Sequence, residues 1–369
     1  MKILFAASTK AHIVSFHLPY IARLSELGYE VTVAGSGTDV NIPGSHKSID
    51  VPFEKKMLSF SNFKAALFLR RHIKAEKYRA IIVHTSLAAF FTRLAVLGMR
   101  KRPKLINMVH GYLFDDNSSL LKKMLYTLAE IITAPVTDLL ITMNQSDLAL
   151  AKSKRFAKNI SFVPGVGVDV NRFKDIDIDK SSEREKLGIA SDAFVIIYAA
   201  EFSPRKSQAT LIKALSLLDK KAVLLLPGRG ELLEECKVLS QELGVADRVV
   251  FPGFVSNMQH LYSLSDCACS SSRSEGLPFN IMEAMYMQKP IVASDVKGHS
   301  DLLDKDCLYA PDNTDAFVSL VKSALEKKTV EYDIRKYRLE NVLAENMEIY
   351  RAILDKKQPI KNILIDLLN

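Results

Sequence analysis

Apolar and polar positions alternate in two separate series along the chain. In the first, Ile3–Ala7 is a short continuous apolar run, the pattern of a buried strand. Phe16–Leu27 follows with helical spacing and is closed by Gly28. Glu30–Ala34, Ala80–His84, Leu105–Val109, Leu139–Met143 and Ile160–Val163 read as further strands, and Phe60–Lys77, Leu120–Ile132 and a stretch opening at Ser146 as helices. Strand–helix alternation predicts a parallel sheet with right-handed crossovers. The pattern then breaks at Asn171–Glu185, which is polar and aperiodic. A second series follows, with strands at Ala193–Ala199, Ala222–Leu226, Val249–Phe251, Cys267–Ser270 and Ile291–Ser294. Its helices are Ser207–Leu218, Glu231–Leu243, Met258–Leu264 and Asn280–Gln288. The end of the chain is charged and helical: Tyr337–Leu354 reads as one long helix and Ile360–Leu368 as a second amphipathic stretch. There is no short-period repeat and no low-complexity tract.

Two series predict two Rossmann-like α/β domains, divided as residues 1–170 and 171–335. A chain of 369 residues agrees, because single cores stop growing at roughly 250–300 residues. In open parallel sheets ligands bind beyond the carboxyl ends of the strands, so a cleft between the two sheets is the expected site. Hydrophobic residues at 48% and charged residues at 25% exclude a disordered chain. The net charge of +8 favours polyanionic partners without choosing among nucleic acid, anionic membrane and phosphorylated ligands. Cys236, Cys267, Cys269 and Cys307 form no C-x-x-C pair and no zinc spacing with histidine, and read as reduced thiols. No continuous apolar run approaches the roughly 20 residues of a membrane helix. The expectation is a cytoplasmic protein that touches a membrane, at most, from the inner face of the cell membrane.

The chemistry concentrates at expected strand ends. In Ser272–Met285 a strand runs into a polar turn, Gly276 allows close backbone approach, and Pro278 suits the first position of a helix. A helix start there offers N–H groups and a dipole to a phosphate. Glu275 sits at the mouth and Glu283 two turns on, so both carboxylates fit one pocket, each able to accept two hydrogen bonds from a sugar diol. The spacing is equally compatible with a capping Glu275 and a solvated Glu283. Arg205 and Lys206 follow the first strand of the second series, either as cations for a diphosphate or as a solvated basic loop. Gly228 lies in Pro227-Gly228-Arg229-Gly230, which lacks the third glycine of a dinucleotide fingerprint and the Gly-Lys-Ser/Thr of a phosphate loop. Phe251 and Gly253 end another strand, either beside a flat base or as a plain turn. His110 follows Leu105–Val109, and His12, Ser15 and His17 follow the first strand, where a cleft loop is expected; lone histidines are also common as structural residues. Asp175, Asp177 and Asp179 form a D-x-D pattern away from any strand end and read as a solvated acidic stretch. Lys55, Lys56, Lys64, Arg70, Arg71, Lys74 and Lys77 are interleaved with Phe53, Phe60, Phe63, Leu67 and Phe68. With Arg100–Lys104 they form either a face for anionic lipid or a solvated helix surface.

Taken together, these segments resemble the retaining glycosyltransferases of family 4, which have the GT-B fold. The resemblance covers nearly the whole chain in the correct order. It is carried by an E-x7-E pattern, Glu275 and Glu283 within Glu-Gly-Leu-Pro-Phe-Asn-Ile-Met-Glu. The opening Ser15-Phe16-His17-Leu18-Pro19-Tyr20 with Gly28-Tyr29-Glu30-Val31 is similar to the branch that builds bacterial capsule and exopolysaccharide repeat units. Pro164–Asp169 resembles the interdomain segment. The resemblance implies a nucleotide-sugar donor, UDP-linked in the first instance, held by Arg205, Lys206, Glu283, Gly228, Phe251, Gly253, Gly276, Leu277, Phe279 and Asn280. It implies Glu275, His110 and Lys206 as catalytic residues. Within that set Glu283 holds the ribose, Arg205 and Lys206 the diphosphate, and Glu275 and His110 the donor sugar. His12, Ser15 and His17 fall on the side of a glycolipid or oligosaccharide acceptor, and helices in 336–369 cross back onto the first domain. It implies no metal and no cofactor, the nucleotide sugar being a substrate.

Two positions depart from the family pattern. Gly-Arg after the first strand of the second domain is Ala200-Glu201 here, so Arg205 is expected to supply the missing charge. Ala11-His12 stands near the place of a Gly-Gly pair in the first loop. The expected reaction is transfer with retention through an oxocarbenium-like transition state, with charge building on the diphosphate beside Lys206, Arg205 and a helix start. Closure around the substrates would exclude water. Rival readings are a nucleotide-sugar 2-epimerase on the same fold and a non-catalytic partner subunit of a transferase. Nucleic-acid binding is motivated by net charge and by no motif.

Overall fold

A computed structural model describes residues 1–37, 41–54, 56–57, 59–115, 118–173, 178–326 and 330–354. The chain divides into two compact units, Met1–Gly167 with the stretch from Glu340, and Val168–Leu339. In the first unit β1 (Lys2–Thr9) leads to α1 (Lys10–Phe16), α2 (Leu18–Glu26), β2 (Glu30–Ser36), β3 (Lys47–Asp50) and α3 (Phe60–Glu76). Next come β4 (Ala80–His84), α4 (Ser86–Val96), β5 (Lys104–Val109), α5 (Leu120–Thr133), β6 (Leu139–Thr142), α6 (Gln145–Lys154) and β7 (Ile160–Phe162). Among the described residues these strands form a seven-stranded sheet in the order β3-β2-β1-β4-β5-β6-β7, every pair parallel. All five residues of β4 are buried, because helices cover both faces of the sheet, and its sequence is accordingly a run of apolar residues closed by His84.

The second unit runs through α7 (Lys180–Lys186), β8 (Phe194–Ile197), α8 (Gln208–Leu215), β9 (Ala222–Leu225), α9 (Leu233–Glu242), β10 (Val249–Val250) and α10 (Met258–Leu264). It continues with β11 (Cys267–Ser270), α11 (Phe279–Tyr286), β12 (Ile291–Ser294), β13 (Leu308–Tyr309) and α12 (Thr314–Glu326). Its six described strands lie in the order β10-β9-β8-β11-β12-β13, again all parallel. Two apolar clusters cover the sheet, one including Val195, Ile197 and Ile281, the other Ile196, Leu224 and Phe317. The odd and even residues of β8 thus serve opposite faces, as the pleat requires. The final helix, α13 (Leu339–Leu354), belongs to the first unit: Asn346 Nδ2 donates to the Tyr20 hydroxyl at 3.3 Å, and Arg79 donates to the Leu354 carbonyl at 2.9 Å.

Several expectations change. The helix predicted over Phe16–Leu27 is two helices, α1 and α2, with His17 ending one and opening the other. Pro19 has no N–H for a continuous ladder and sits instead in the first turn of α2. The aperiodic stretch Asn171–Glu185 contains α7, whose start is capped by the Asp179 carboxylate on the Ser181 and Ser182 N–H groups. Asp175 and Asp177 lie outside the described residues, as do Lys55 and Ile360–Leu368. The long helix expected over Tyr337–Leu354 is α13, which starts two residues later, at Leu339, because Arg338 is extended and Val168 pairs across it, its N–H on the Tyr337 carbonyl at 2.8 Å. Cys236, Cys267 and Cys269 are buried free thiols. No helix among the described residues is long and apolar enough to cross a membrane.

Candidate active site

β8 and β11 are neighbours in the second sheet, so the loops that leave their carboxyl ends meet. The first carries Arg205 and Lys206, the second Ser272 and Glu275. Lys206 Nζ donates to Glu275 Oε1 at 2.5 Å, and Arg205 Nη1 donates to Glu275 Oε2 and to the Ser274 carbonyl at 3.1 Å each. The Ser272 hydroxyl donates to Glu275 Oε1 at 2.5 Å. The backbone beneath the cations is held as well. The Ser271 hydroxyl lies 2.9 Å from the Lys206 and Ser207 carbonyls, and the Tyr198 hydroxyl donates to the Lys206 carbonyl at 3.1 Å. Expected at an exposed mouth, Glu275 is buried, because it is the anion that gathers these loops. Burial opposes its charge, but Lys206, Arg205 and His299 outweigh burial and hold the carboxyl down at about 2. Glu275 is therefore ionised at every physiological pH.

Four residues after Glu275 the helix α11 begins. Pro278 is its cap and not its first helical residue, no side chain caps it, and its first turn carries no acidic residue. With neither an acidic residue nor a side-chain cap there, that end of the dipole suits an anion. Gly276 is held by close backbone approach: a Cβ on Gly298 would stand 2.5 Å from the Gly276 carbonyl oxygen. Leu277 and Phe279 are half-buried against the core of this unit and pin the loop to it. Glu283 faces a different partner from Glu275. The Tyr262 hydroxyl lies 3.2 Å from Glu283 Oε2 and 2.9 Å from the Asn280 carbonyl. Desolvation raises the Glu283 carboxyl to about 7, against the opposing pull of Tyr262 and of Arg172. The two glutamates are thus set in opposite states, Glu275 ionised and Glu283 poised near neutrality. Neither a capping Glu275 nor a merely solvated Glu283 describes them.

A cavity of about 590 Å³ opens at the ends of β8 and β9, lined among others by Ala200, Glu201, Gly228, Arg229, Phe254 and Met258. The glycines of Pro227–Gly230 have a packing reason: a Cβ on Gly228 would lie 2.0 Å from the Ala200 carbonyl oxygen, and one on Gly230 2.2 Å from that of Phe202. The Gly228 N–H donates to the Gly253 carbonyl at 2.8 Å, so Gly228 and Gly253 are brought together. Phe251 packs against Phe202, with ring centroids 6.0 Å apart, on the core side. The exposed aromatic that lines the cavity is Phe254, under the Arg229 guanidinium at 4.9 Å. A flat apolar ring with a cation above it suits stacking of a planar base. Glu201 lines the same cavity as an exposed carboxylate, where the family pattern would have arginine.

In the first unit β1, β4 and β5 lie side by side, and their carboxyl ends gather four histidines. His17 Nε2 is 3.3 Å from His12 Nε2, and His84 Nδ1 is 3.0 Å from His110 Nε2. The His17 and His84 rings are 4.0 Å apart by centroid, and Phe5 stacks on His84 at 4.5 Å. Thr85, directly after His84, is held at φ +64, a strained angle for a β-branched residue, with its hydroxyl 2.6 Å from that of Ser8. Ser15 is exposed on α1.

Two family comparisons decide the classification. Residues 20–172 match the family described as Glycosyltransferase Family 4, and residues 179–341 match Glycosyl transferases group 1. The chain is a glycosyltransferase, with a family 4 domain followed by a group 1 domain. A Bacillus subtilis protein named as a glycosyltransferase, EpsD, is 29% identical over 98% of this chain and 99% of its own length. An Escherichia coli UDP-Gal:alpha-D-GlcNAc-diphosphoundecaprenol alpha-1,3-galactosyltransferase is 24% identical over 83% of this chain and 80% of its own. Among solved structures, Anabaena HepE in complex with UDP and glucose superposes with a TM-score of 0.71, at 20% identity, over 100% of this chain and 98% of HepE. The lipopolysaccharide glycosyltransferase WaaG gives 0.67 at 15% identity, over 99% and 98%. The fold is GT-B.

For this glycosyltransferase the sequence named Glu275, Arg205 and Lys206, and the structure brings those three together. Sequence reasoning missed the groups that position them: Tyr198, Ser271 and Ser272 around the cation loop, Tyr262 on Glu283, and Phe254 with Arg229 at the cavity. A serine run after a strand is the one signal that points at the first set. Tyr262 carries none, because its contact with Glu283 joins two helices across an intervening strand and loop. His84 was read only as the last residue of a strand, and the strand order alone places it beside His12, His17 and His110.

Proposed function

We propose that this glycosyltransferase moves a sugar, with retention of anomeric configuration, from a UDP-linked donor to a lipid-linked or oligosaccharide acceptor in capsule or exopolysaccharide assembly. The observation that carries the donor end is the pair Lys206 and Arg205, fixed on buried Glu275 four residues before an uncapped helix start. A diphosphate leaving group gains charge as the glycosidic bond breaks, and preorganised cations with a helix dipole stabilise it most in the transition state. In this reading Lys206 and Arg205 supply the charge that a divalent metal supplies elsewhere. The cavity at Phe254 takes the base and Glu283 the ribose. The UDP and glucose bound to HepE and the diphosphoundecaprenol substrate named for the Escherichia coli relative agree with such a donor and acceptor. A thermal-shift screen of nucleotide sugars tests it: a UDP-sugar raises the melting temperature by mass action, and no shift from any nucleotide sugar would refute the reading. Isomerised donor appearing without an acceptor would favour a 2-epimerase instead.

The Glu283 carboxyl gives this site a pH dependence. Its native value, about 7, lies above the ordinary carboxylate range, so between pH ~4.5 and 7 the native state keeps a proton that the unfolded chain loses. Its contribution to stability is therefore present below that window and is lost as pH rises through 7. Ribose binding needs the opposite state, an ionised acceptor of two hydrogen bonds. UDP affinity should rise as pH increases through about 7, and Glu283→Gln should bind weakly and without that pH dependence in calorimetry between pH 5.5 and 8.5.

The acceptor side suggests a membrane surface. Helix α5 exposes Leu120, Leu121, Met124, Leu125, Leu128, Ile131 and Ile132, with Lys122 and Lys123 at its start. Helix α3 exposes Phe60, Phe63, Leu67 and Phe68 beside Lys64, and both helices pack on α4. Arg70, expected among the lipid-facing cations, instead donates to the Ala95 and Leu97 carbonyls at 2.8 Å each. Arg102 is likewise occupied, by Asp138. An apolar stripe with lysines at its edge suits insertion at an anionic bilayer interface, at the inner face of the cell membrane. The chain should co-sediment with phosphatidylglycerol vesicles, and Leu121→Glu with Met124→Glu should cut that binding at least about tenfold; unchanged sedimentation would refute this face.

A further inference from the structure

Strand order in the first unit runs outward in two directions, through β1, β2 and β3 to one side and through β4, β5, β6 and β7 to the other. The loops that leave β1 and β4 at their carboxyl ends therefore part, and open parallel sheets bind ligands in the crevice at such a switch point. Ser8 and Thr85 stand on its two sides. We propose that their paired hydroxyls bind an oxygen of the acceptor sugar, with Thr85 as a specificity-determining residue. The inference rests on the proposed transferase reading. The acceptor is the substrate concerned because the donor groups Arg205, Lys206 and Phe254 all belong to the second unit.

Register sets the pair. β1 and β4 are paired in parallel as far as Ala6 and Val83, so Ser8 and Thr85 come level two residues further on. There the ladder ends on a side chain. The Ser8 N–H donates to Thr85 Oγ1 at 3.0 Å, and the two hydroxyl oxygens are 2.6 Å apart. The Ser36 hydroxyl donates to the Ser8 carbonyl at 2.8 Å and holds this strand end from the β2 side.

Thr85 gives up two ordinary advantages for this contact. Its φ of +64 and ψ of 138 form a conformation that a β-branched residue avoids and glycine tolerates. It also occupies the cap position of α4, yet its hydroxyl bonds to none of that helix's N–H groups, the usual role of a threonine there. Backbone strain persists only where surrounding contacts enforce it, and it concentrates at ligand sites. Here it holds a hydroxyl against β1 at the switch point.

Two hydroxyls bring two protons and four lone pairs. One Thr85 lone pair takes the Ser8 N–H, and one proton lies between the two oxygens. The other proton has no acceptor among the described residues, and both residues are half-buried, within reach of a ligand. The pair thus presents one O–H donor on a fixed mount. His84, directly before Thr85, is kept neutral at pH 7 by burial, so no charged imidazole stands behind that donor. A neutral hydroxyl suits a carbohydrate oxygen, which accepts its proton and can donate one to a remaining lone pair.

Transfer kinetics of the full chain test the pair, with octyl glycosides and short-chain glycosyl diphospholipids as acceptor probes and radiolabelled UDP-sugars as donors. Ser8→Ala with Thr85→Val, which lacks both hydroxyls, should raise acceptor KM at least about tenfold while UDP affinity in calorimetry stays at the wild-type value. Thr85→Ser keeps the hydroxyl and should hold acceptor KM within about twofold of the wild type. Where the double variant loses its native far-UV circular dichroism, Ser8→Ala with Thr85→Gly, which suits the backbone angle, takes its place. The inference is overturned if variants lacking both hydroxyls keep the wild-type acceptor KM, if Thr85→Ser is as weak as they are, or if UDP affinity falls in step with acceptor affinity. No transfer by the wild type to any probe would refute the transferase reading and this inference with it; transfer by the wild type with an unmoved acceptor KM in the variants refutes this inference alone.

Discussion

Lys206→Ala should lower the rate of sugar transfer by about 10²–10³ at saturating donor, the range seen when one preorganised electrostatic stabiliser of a developing anion is removed. Lys206 is the shielded cation of the pair: its side chain is 12% exposed, against 49% for Arg205. A cation away from water acts through a lower dielectric and loses less of its charge to screening, so Lys206 should matter more than Arg205. The stabilisation belongs to the leaving diphosphate, so the loss should fall mainly on kcat and less on KM. Removing Lys206 also strips the principal counter-charge from buried Glu275 and raises its carboxyl value. Lys206→Met with Glu275→Gln removes both charges together. That double variant should regain folding stability relative to Lys206→Ala and remain as slow, which separates the chemical loss from the structural one. Turnover left intact in both Lys206→Ala and Glu275→Ala would sink the assignment of this site.

Glu130→Ala should destabilise the first unit by about 3–5 kcal/mol, because it leaves Arg93 buried without its counter-ion. The Arg93 side chain is fully buried, donates to both Glu130 oxygens at 2.7 Å, and donates from Nε to the Ala89 carbonyl at 3.1 Å. The pair ties α4 to α5, the helix whose opposite face is apolar and exposed. Breaking it should therefore loosen α5 and weaken vesicle binding together with stability. Arg93→Met with Glu130→Leu should recover most of the stability, since a buried ion pair is replaced by packed hydrocarbon at little or no cost. A urea midpoint for the first unit, followed through tyrosine signals, reads both variants. A Glu130→Ala midpoint equal to that of the wild type would show that the pair holds nothing in place.

Part of the candidate site was legible because it is local. The Glu275–Glu283 spacing, the Pro-Gly-Arg-Gly turn and the Arg205-Lys206 pair each fall within one short stretch of chain that follows a strand with an unmistakable apolar run. What escaped is what joins loops. Helix α4 was not among the expected elements, because it buries most of its surface and so lacks a polar face: Ala88, Ala89, Phe91, Thr92, Arg93, Ala95 and Val96 are all buried. Strand β3 was missed because Lys-Ser-Ile-Asp carries a single apolar residue, Ile49, which is also its one buried position. Helix α12 lies outside the expected set although its apolar positions recur with helical spacing. The sequence also carried no sign that Phe254 rather than Phe251 lines the cavity: the strand ends at Val250, and Phe251 turns onto Phe202.

The sequence by itself determined the two α/β series, their parallel character and the family, because these follow from period, order and short motifs. Strand order was decided only in three dimensions. It puts β8 beside β11, and so turns two basic residues and a glutamate some 70 positions away into one buried ion cluster. It puts β1 beside β4 and β4 beside β5, and so brings four histidines from separate loops into contact. Ionisation was decided there too. Glu275 and Glu283 are the same residue type eight positions apart, yet one is held ionised by cations and the other is raised by desolvation. A carboxylate takes its state from its surroundings, and those surroundings come from other parts of the chain.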